Sequence, residues 1–467
     1  MRPYEIILGL LTTLTAGSVL IFKQTPRLKK WALPALLALG AGLQLTLEGF
    51  RWQLWPLFLA AGLLILISLV KCQRRGQATT AVIAILLTLV SLTAAAILPV
   101  PDPFPITGPY QVGTREIQLV DQDRLELYGP DPAAPREFMA QIWYPAEPRP
   151  GDQQAQWMPA IEYAGPAIAR MLGLPPFTLG HLTYVQGNAY LGSPPSSGDS
   201  QFPVLIFSHG WEGFKEQNIY QVEELASQGY VVVGINHTYG AILSVFPDGR
   251  QVPINHQALP SGVSDEVYDQ ASNTLVKQWA GDIGFTLDEL DRLNQEEDWF
   301  LSGRLNLNEV GVFGHSTGAG ATIEFCLVDA RCQAALAMDL WAEPAAPEIQ
   351  ELRLSPPALI MHSSNWDGLD TPERNYGLIG TLVERAAGPV DELTIQGTKH
   401  YDFSSLPLMS PLAPALGLKG PINGKLVLEI INAETVAFFD RTLKGDASAS
   451  PETVAEGYPE VQWGVRP

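Results

Sequence analysis

The chain has 467 residues, long enough for more than one domain, and carries 49 acidic side chains against 29 Lys and Arg, a formal net charge of −20. Its three cysteines exclude a disulfide-dense scaffold. Residues 1–100 hold nine Lys/Arg and two acids, a net of +7, so residues 101–467 carry −27, which argues against nucleic acid as a partner and against docking on anionic lipid by charge.

Four apolar stretches come first, at residues 6–22, 31–47, 54–70 and 78–100. Each is close to the ~20 residues that cross a bilayer as a helix, and none contains an internal charge. Tyr4, Trp31, Trp52 and Trp55 lie at or near their ends, where interface-seeking aromatics collect. One such stretch would fit a signal peptide; four in series with polar hinges do not. The first hinge carries Lys23, Arg27, Lys29 and Lys30, and the third Lys71, Arg74 and Arg75. The second has only Arg51 beside Glu48, and the N-terminus only Arg2. Basic hinges stay in the cytoplasm. The expectation is a multi-pass cell-membrane protein with a four-helix membrane domain at 1–100, its N-terminus outside, and an extracytoplasmic domain at 101–467. Cys72 falls at the cytoplasmic membrane edge, inert or lipid-modified.

A Pro-rich linker over 101–110 leads into two strands of an antiparallel start, TREIQLVD and EFMAQIWYPA. Residues 147–200 read as irregular, with a short apolar helix around 159–172. FPVLIFSHG is a buried strand, IYQVEELASQGY an amphipathic helix closed by Gly229, and VVVGINHTYG another buried strand. A long helical region follows from Ser264 to Gln295, with a break or bend expected near Gly281-Asp282. The run VGVFGHSTGAGATIEF then turns from strand to helix through Gly314-His315-Ser316-Thr317-Gly318. Further strands are QAALAMDLW, PPALIMHSSNW and DELTIQG, with a helix at 371–387 between the last two, and KLVLEIINAETVAFFDRTL closes as a helix. Strands alternating with helices imply a mostly parallel sheet covered on both faces, an α/β fold.

The turn at Ser316 has the G-x-S-x-G pattern of a nucleophile elbow, and its strand and helix flanks supply the context that pattern requires. Tight geometry asks for glycines, and the helix N-terminus favours negative charge developing beside the serine. In hydrolases of this architecture the order is serine, acid, histidine. Two histidines follow Ser316. His362 lies inside an apolar strand and reads as a core residue; His400, in the loop GTKHYDF, is the expected base. For the acid, Asp339 ends an apolar strand, where a buried carboxylate needs a partner. Asp367 and Asp370 lie in a polar turn, so Asp339 is the better candidate. The oxyanion donors are expected to be the backbone N–H groups of Thr317, after the nucleophile, and Trp211, in the loop SHGWEG, where Gly210 allows close approach. His209 reads as a brace for that loop. Trp211 and the 147–200 segment are expected to wall the acyl pocket. Cys326 and Cys332, six apart, either pair or stay reduced and buried.

Taken together, IWYPAE, FPVLIFSHGWEGFKEQNIY, ELASQGYVVVGINHTYG, VGVFGHSTGAGAT, AALAMDLW and GTKHYDFSSLPL resemble the platelet-activating factor acetylhydrolase family of the plasma and type II kind, in family order from about residue 114 to 443. The resemblance implies an α/β-hydrolase fold and maps the family's serine, acid and histidine to Ser316, Asp339 and His400. Its oxyanion donors map to Trp211 and Thr317. It implies no metal and no cofactor. The elbow reads STGAG where eukaryotic members carry a Phe after the serine, and those soluble members lack the N-terminal spans. The expected function is a serine esterase acting on an acyl ester of a lipid. Rival readings are a general carboxylesterase on small or polymeric esters, and a catalytically silent hydrolase fold on a membrane sensor.

Overall fold

In the computed structural model, which describes residues 1–22, 27–70, 73–198 and 201–467, the chain divides into two units. Lys23, Lys71 and Cys72 lie outside the described residues, as do the side chains of Arg27, Lys29 and Lys30. The first unit comprises Met1–Pro101, with Ile168–Val185 and Met409–Leu412 added to it.

Helices α1 (Pro3–Ile21), α2 (Arg27–Leu47), α3 (Trp55–Leu69) and α4 (Arg74–Ile97) form that first unit. Leu8, Leu37, Leu57, Leu64, Ala81 and Ala84 are buried between them. Outward-facing Leu10, Leu14, Leu86 and Leu89 stay exposed, so the helices are apolar on both their inner and outer sides. Among the described residues three helices, Pro3–Ile21, Trp52–Leu69 and Arg74–Ile97, are long and apolar enough to cross a membrane; Trp31–Leu47 is a shorter apolar helix. Helix α1 starts before its apolar run and takes Glu5 into its first turn, where an acid suits the helix dipole. There Glu5 is buried and accepts from Arg51 Nη2 at 2.6 Å.

The second unit holds an eleven-stranded sheet. In chain order the elements after α4 are β1 (Gln111–Leu125), β2 (Pro135–Ala146), β3 (Gln154–Gln156), α5 (Ile161–Met171), β4 (Gln186–Leu191), β5 (Phe202–Ser208), α6 (Ile219–Ser227), β6 (Val231–Asn236), a β7 (Leu243–Val245) and β8 (Gln251–Pro253) hairpin outside the sheet, α7 (Asp265–Asn294), β9 (Leu305–His315) and α8 (Thr317–Val328). Then follow β10 (Ala334–Met338), α9 (Ala346–Glu351), β11 (Ala358–Asn365), α10 (Pro372–Arg385), β12 (Val390–Lys399), α11 (Leu406–Met409), α12 (Gly424–Thr442), α13 (Pro451–Glu456) and β13 (Val461–Trp463). The sheet order is β13-β12-β11-β10-β9-β5-β6-β2-β1-β4-β3. Its six central strands, β12 to β6, run parallel.

Alternation along the strands separates two apolar layers. Val204, Ile206, Val233, Val312 and Ala335 pack with Leu275, Ile283, Ile323 and Ile379 of α7, α8 and α10. On the other side Phe207 meets Phe313, and Phe313 meets Phe439 of α12. Burial on both faces explains why these strands read as continuous apolar runs.

Two expectations are corrected. The 147–200 segment is not merely irregular: β3 and β4 extend the sheet beyond β1. Helix α7 runs unbroken for 30 residues through Gly281-Asp282. The small residue makes room for a guanidinium, since a Cβ at Gly281 would stand 2.4 Å from Arg124 Nη1. Asp282 is fully buried and accepts from Arg136 Nη2 at 2.6 Å, Arg124 Nη2 at 2.9 Å and His237 Nδ1 at 2.9 Å. A polar pair that reads as a helix break is a buried ionic cluster. Cys326 and Cys332 are disulfide-bonded, Cα to Cα 5.2 Å, and tie the end of α8 to the approach to β10.

Removing one partner from a buried ion pair leaves the other charge desolvated and unpaired. Asp282→Ala is therefore expected to lower stability by about 3–5 kcal/mol, read from chemical denaturation of the full chain in detergent. A loss below about 1 kcal/mol, the range of a surface pair, would contradict this account.

Candidate active site

The site lies past the carboxyl ends of β5, β9, β10 and β12. Ser316 joins β9 to α8 with φ 57° and ψ −119°, a conformation that costs a non-glycine residue strain. The turn is so close to its neighbour strand that a Cβ at Gly318 would meet the Ser208 carbonyl oxygen at 2.1 Å. A Cβ at Gly210 would lie 3.4 Å from Ser316 Cβ, so the loop after β5 rests on the elbow. The Gly210 carbonyl accepts from Gly213 N–H at 2.9 Å and from His209 Nδ1 at 2.7 Å. In a trans peptide this turns Trp211 N–H the opposite way. Neither Trp211 N–H nor Thr317 N–H has a backbone or side-chain acceptor among the described residues. His209 braces the loop: it also accepts from His237 N–H at 3.2 Å.

His400 follows β12 directly. Its Nδ1 donates to Asp339 Oδ2 at 3.0 Å, and Asp339 Oδ1 accepts from Ser363 N–H. Burial would raise the Asp339 pKa; the bond to His400, its charge and the Ser363 N–H together hold it below the ordinary carboxylate value. The His400 ring is stacked on Trp366, centroids 4.1 Å apart and planes 9° from parallel, and on its other side meets His315 at 4.4 Å. His315 is pushed down to about 3 by burial and by the charge of His400, and its Nε2 donates to the His400 carbonyl at 3.0 Å. Ser316 and His400 line one cavity; no hydrogen bond joins them among the described residues, and such bonds often tighten only with substrate bound.

The other candidates do not meet the His400 imidazole through a hydrogen bond among the described residues. Asp367 is exposed and pairs with Lys399 Nζ at 2.5 Å. His362 is buried in β11, its Nε2 3.1 Å from Glu392. Among the described residues no group of three or more His, Cys, Asp or Glu is placed to hold a metal ion.

The cavity, about 730 Å³, is walled by Trp211, Trp341, Trp366, Tyr268 and Tyr401. Six acids line it (Glu212, Asp265, Asp269, Glu343, Asp367 and Asp370) against two cations, Arg374 and Lys399, each already paired with one of those acids. None of residues 147–200 lines it, contrary to expectation, because their strands lie at the far edge of the sheet from β9. The wall comes instead from the stretch before and into α7 and from the loop after β11. Trp366 carried a signal in its proximity to Asp367; Gln217, which donates to His315 Nδ1, carried none.

The model of the family described as platelet-activating factor acetylhydrolase, isoform II, matches residues 103–452. The platelet-activating factor acetylhydrolase of Cavia porcellus is 22% identical over 370 residues, 72% of this chain and 77% of its own. That of Canis lupus familiaris is 23% identical over 327 residues, 65% and 71%. A solved ferulic acid esterase from Streptomyces cinnamoneus superposes with a TM-score of 0.62 at 24% identity, over 79% of this chain and all of that one, a likeness of fold.

His315, held neutral in the folded site, gains a proton on unfolding below its free value near ~6.5. Its contribution to stability is complete above that pH and is lost as the pH falls toward about 3. The stability advantage of wild type over His315→Phe should shrink by up to about 1.4 kcal/mol per unit between pH ~6 and 4, measured by denaturant titration. A difference that stays constant over that range would place a solvated or protonated imidazole at this position.

Proposed function

The chain belongs to the platelet-activating factor acetylhydrolase, isoform II, family, and on that premise we propose a membrane-anchored serine esterase that cleaves an acyl ester of a lipid through an acyl-enzyme. The observation that carries the reading is the His400–Asp339 hydrogen bond beside a strained Ser316, on one cavity with Trp211 and Thr317, whose backbone N–H groups have no acceptor among the described residues. His400 takes the Ser316 proton as Oγ attacks the ester carbon. The oxyanion that forms is met by Trp211 and Thr317 N–H. Asp339 holds the imidazole in the Nδ1–H tautomer and stabilises the imidazolium. The proton passes from His400 to the leaving alkoxide; water then repeats the sequence on the acyl-enzyme. The two N–H groups are already fixed before charge develops, so no reorganisation opposes the step.

Ester hydrolysis agrees with the family, whose relatives are named acetylhydrolases. The surplus of acids around an aromatic wall supports a neutral or cationic alcohol moiety over an anionic one. The same aromatic wall favours a second reading, a carboxylesterase on small or polymeric esters with aromatic parts. No metal takes part in this scheme. With 31–47 taken as a further span beside the three helices long enough to cross, the basic hinges support an extracytoplasmic catalytic unit. The Cys326–Cys332 bond suits that oxidising side.

Ser316→Ala and His400→Ala are expected to cut turnover of p-nitrophenyl acetate by roughly 10⁴-fold, and Asp339→Asn by a similar order. Asp367→Asn should stay within about threefold, as expected of an exposed pair. Steady-state rates showing Asp367→Asn to be the worse variant would move the acid to the loop after β11.

Across p-nitrophenyl esters from acetate to palmitate, the rate should be highest for short acyl groups and unchanged by chelator. A steady climb with chain length, or collapse in chelator, would refute the substrate reading.

A reporter that works only outside the cytoplasm should be active when fused after Pro101 and silent after Arg75. The reverse pattern would turn the catalytic unit inward.

A further inference from the structure

Gln217, just before α6, joins three segments of the site. Gly210 N–H donates to its Oε1 at 3.2 Å, which fixes the amide's orientation, and its Nε2 donates to His315 Nδ1 at 3.0 Å. His315 is therefore the Nε2–H tautomer, and that N–H is the one that donates to the His400 carbonyl at 3.0 Å. The Gln217 backbone carbonyl accepts from Ser405 N–H at 2.9 Å and from Ser405 Oγ at 2.8 Å, holding the segment that follows His400. The reach depends on Gly213: a Cβ there would stand 2.2 Å from Gln217 Oε1. Gln217 and His315 are both buried, so these bonds exchange little with water.

We propose that Gln217 and His315 are positioning residues that fix the loop bearing Trp211 N–H and the loop bearing His400 relative to each other. The proposal rests on the esterase reading above. One amide holds Gly210, the residue before the Trp211 donor, and one imidazole holds the carbonyl of His400 while its ring supports the His400 ring from the side opposite Trp366. The Trp211 donor and the general base come from segments 189 residues apart in sequence, and the His400–Asp339 bond does not connect the base to Gly210. This chain does. His315 thus has a role beyond filling the variable position of the elbow, and Gln217 has one although it touches neither the Ser316 nor the His400 side chain through any hydrogen bond of the described residues.

The test uses the full chain in detergent with p-nitrophenyl acetate as probe. Gln217→Met keeps length and removes the side-chain bonds to Gly210, His315 and Asn218; His315→Phe keeps a ring and removes both of its bonds. Each is expected to lower kcat about 10–100-fold with KM within about threefold, the pattern of a misplaced transition-state group rather than a lost binding contact. The double variant should fall no more than about threefold below the worse single one, because both act through one chain of bonds. Ser316→Ala run alongside separates the two levels of the argument. If Ser316→Ala retains turnover, the esterase reading fails and this proposal with it. If Ser316→Ala is inactive while folded Gln217→Met keeps kcat within twofold, or the two losses multiply, the positioning role alone is overturned. Should Gln217→Met not fold, the kcat and KM of His315→Phe decide in the same way.

Discussion

Everything at this site depends on one close crossing, where the turn at Ser316-Thr317-Gly318 passes against the end of β5. A side chain at Gly318 would overlap the Ser208 carbonyl, so only glycine lets the Ser316 turn and the end of β5 share that space. The strain that accompanies this is concentrated. Among the described residues four non-glycines have positive φ, and three of them are Ser316, Asp339 and Glu212, each at the end of a central strand or in the loop beyond it. Conformations of that kind cost about 1–3 kcal/mol each. A parallel sheet buried on both faces is what offsets the cost, since its apolar layers are large and continuous while the strained residues are few.

A serine, a histidine and an aspartate come together a second time in the molecule, in a setting that differs from the cavity in access. Ser208 Oγ lies 2.9 Å from His237 Nε2, and His237 Nδ1 lies 2.9 Å from Asp282. The pairwise geometry matches that of a catalytic triad. All three side chains are fully buried or nearly so, Trp279 is stacked flat on His237 at 4.2 Å, and Arg136 neutralises Asp282. Burial outweighs the carboxylate and lowers the His237 pKa, leaving a neutral imidazole with no route to substrate. What it does hold is His209, through the His237 N–H, and through His209 the Gly210 carbonyl. This buried serine, histidine and aspartate thus stiffen the loop after β5, whereas Ser316 and His400 line a cavity; access rather than residue type separates the two sets.

Read along the chain, the strand and helix series was legible because its signals are local. Buried strands announce themselves as apolar runs and the elbow as a five-residue pattern between them. Misreadings arose where a residue's partner is distant. Gly281-Asp282 read as a helix break because the Arg136 that pairs with Asp282 is 146 residues away. The 147–200 segment read as irregular and as a pocket wall because short edge strands have little apolar pattern of their own, and pairing beyond β1 carries them from the cavity.

The sequence by itself determined the order of the elements, the apolar helices ahead of the sheet and the elbow at Ser316, and it favoured Asp339 over Asp367 as the partner of His400. Each follows from composition and chain order, since an acid at the end of an apolar strand must find a partner. Only the tertiary structure decided that Cys326 and Cys332 lie close enough to bond, that Trp366 stacks on His400, and that Gln217 reaches Gly210 and His315 at once. Those are relations of distance and direction between segments up to 98 residues apart, fixed by how strands pack side by side, and no local pattern of residues encodes them.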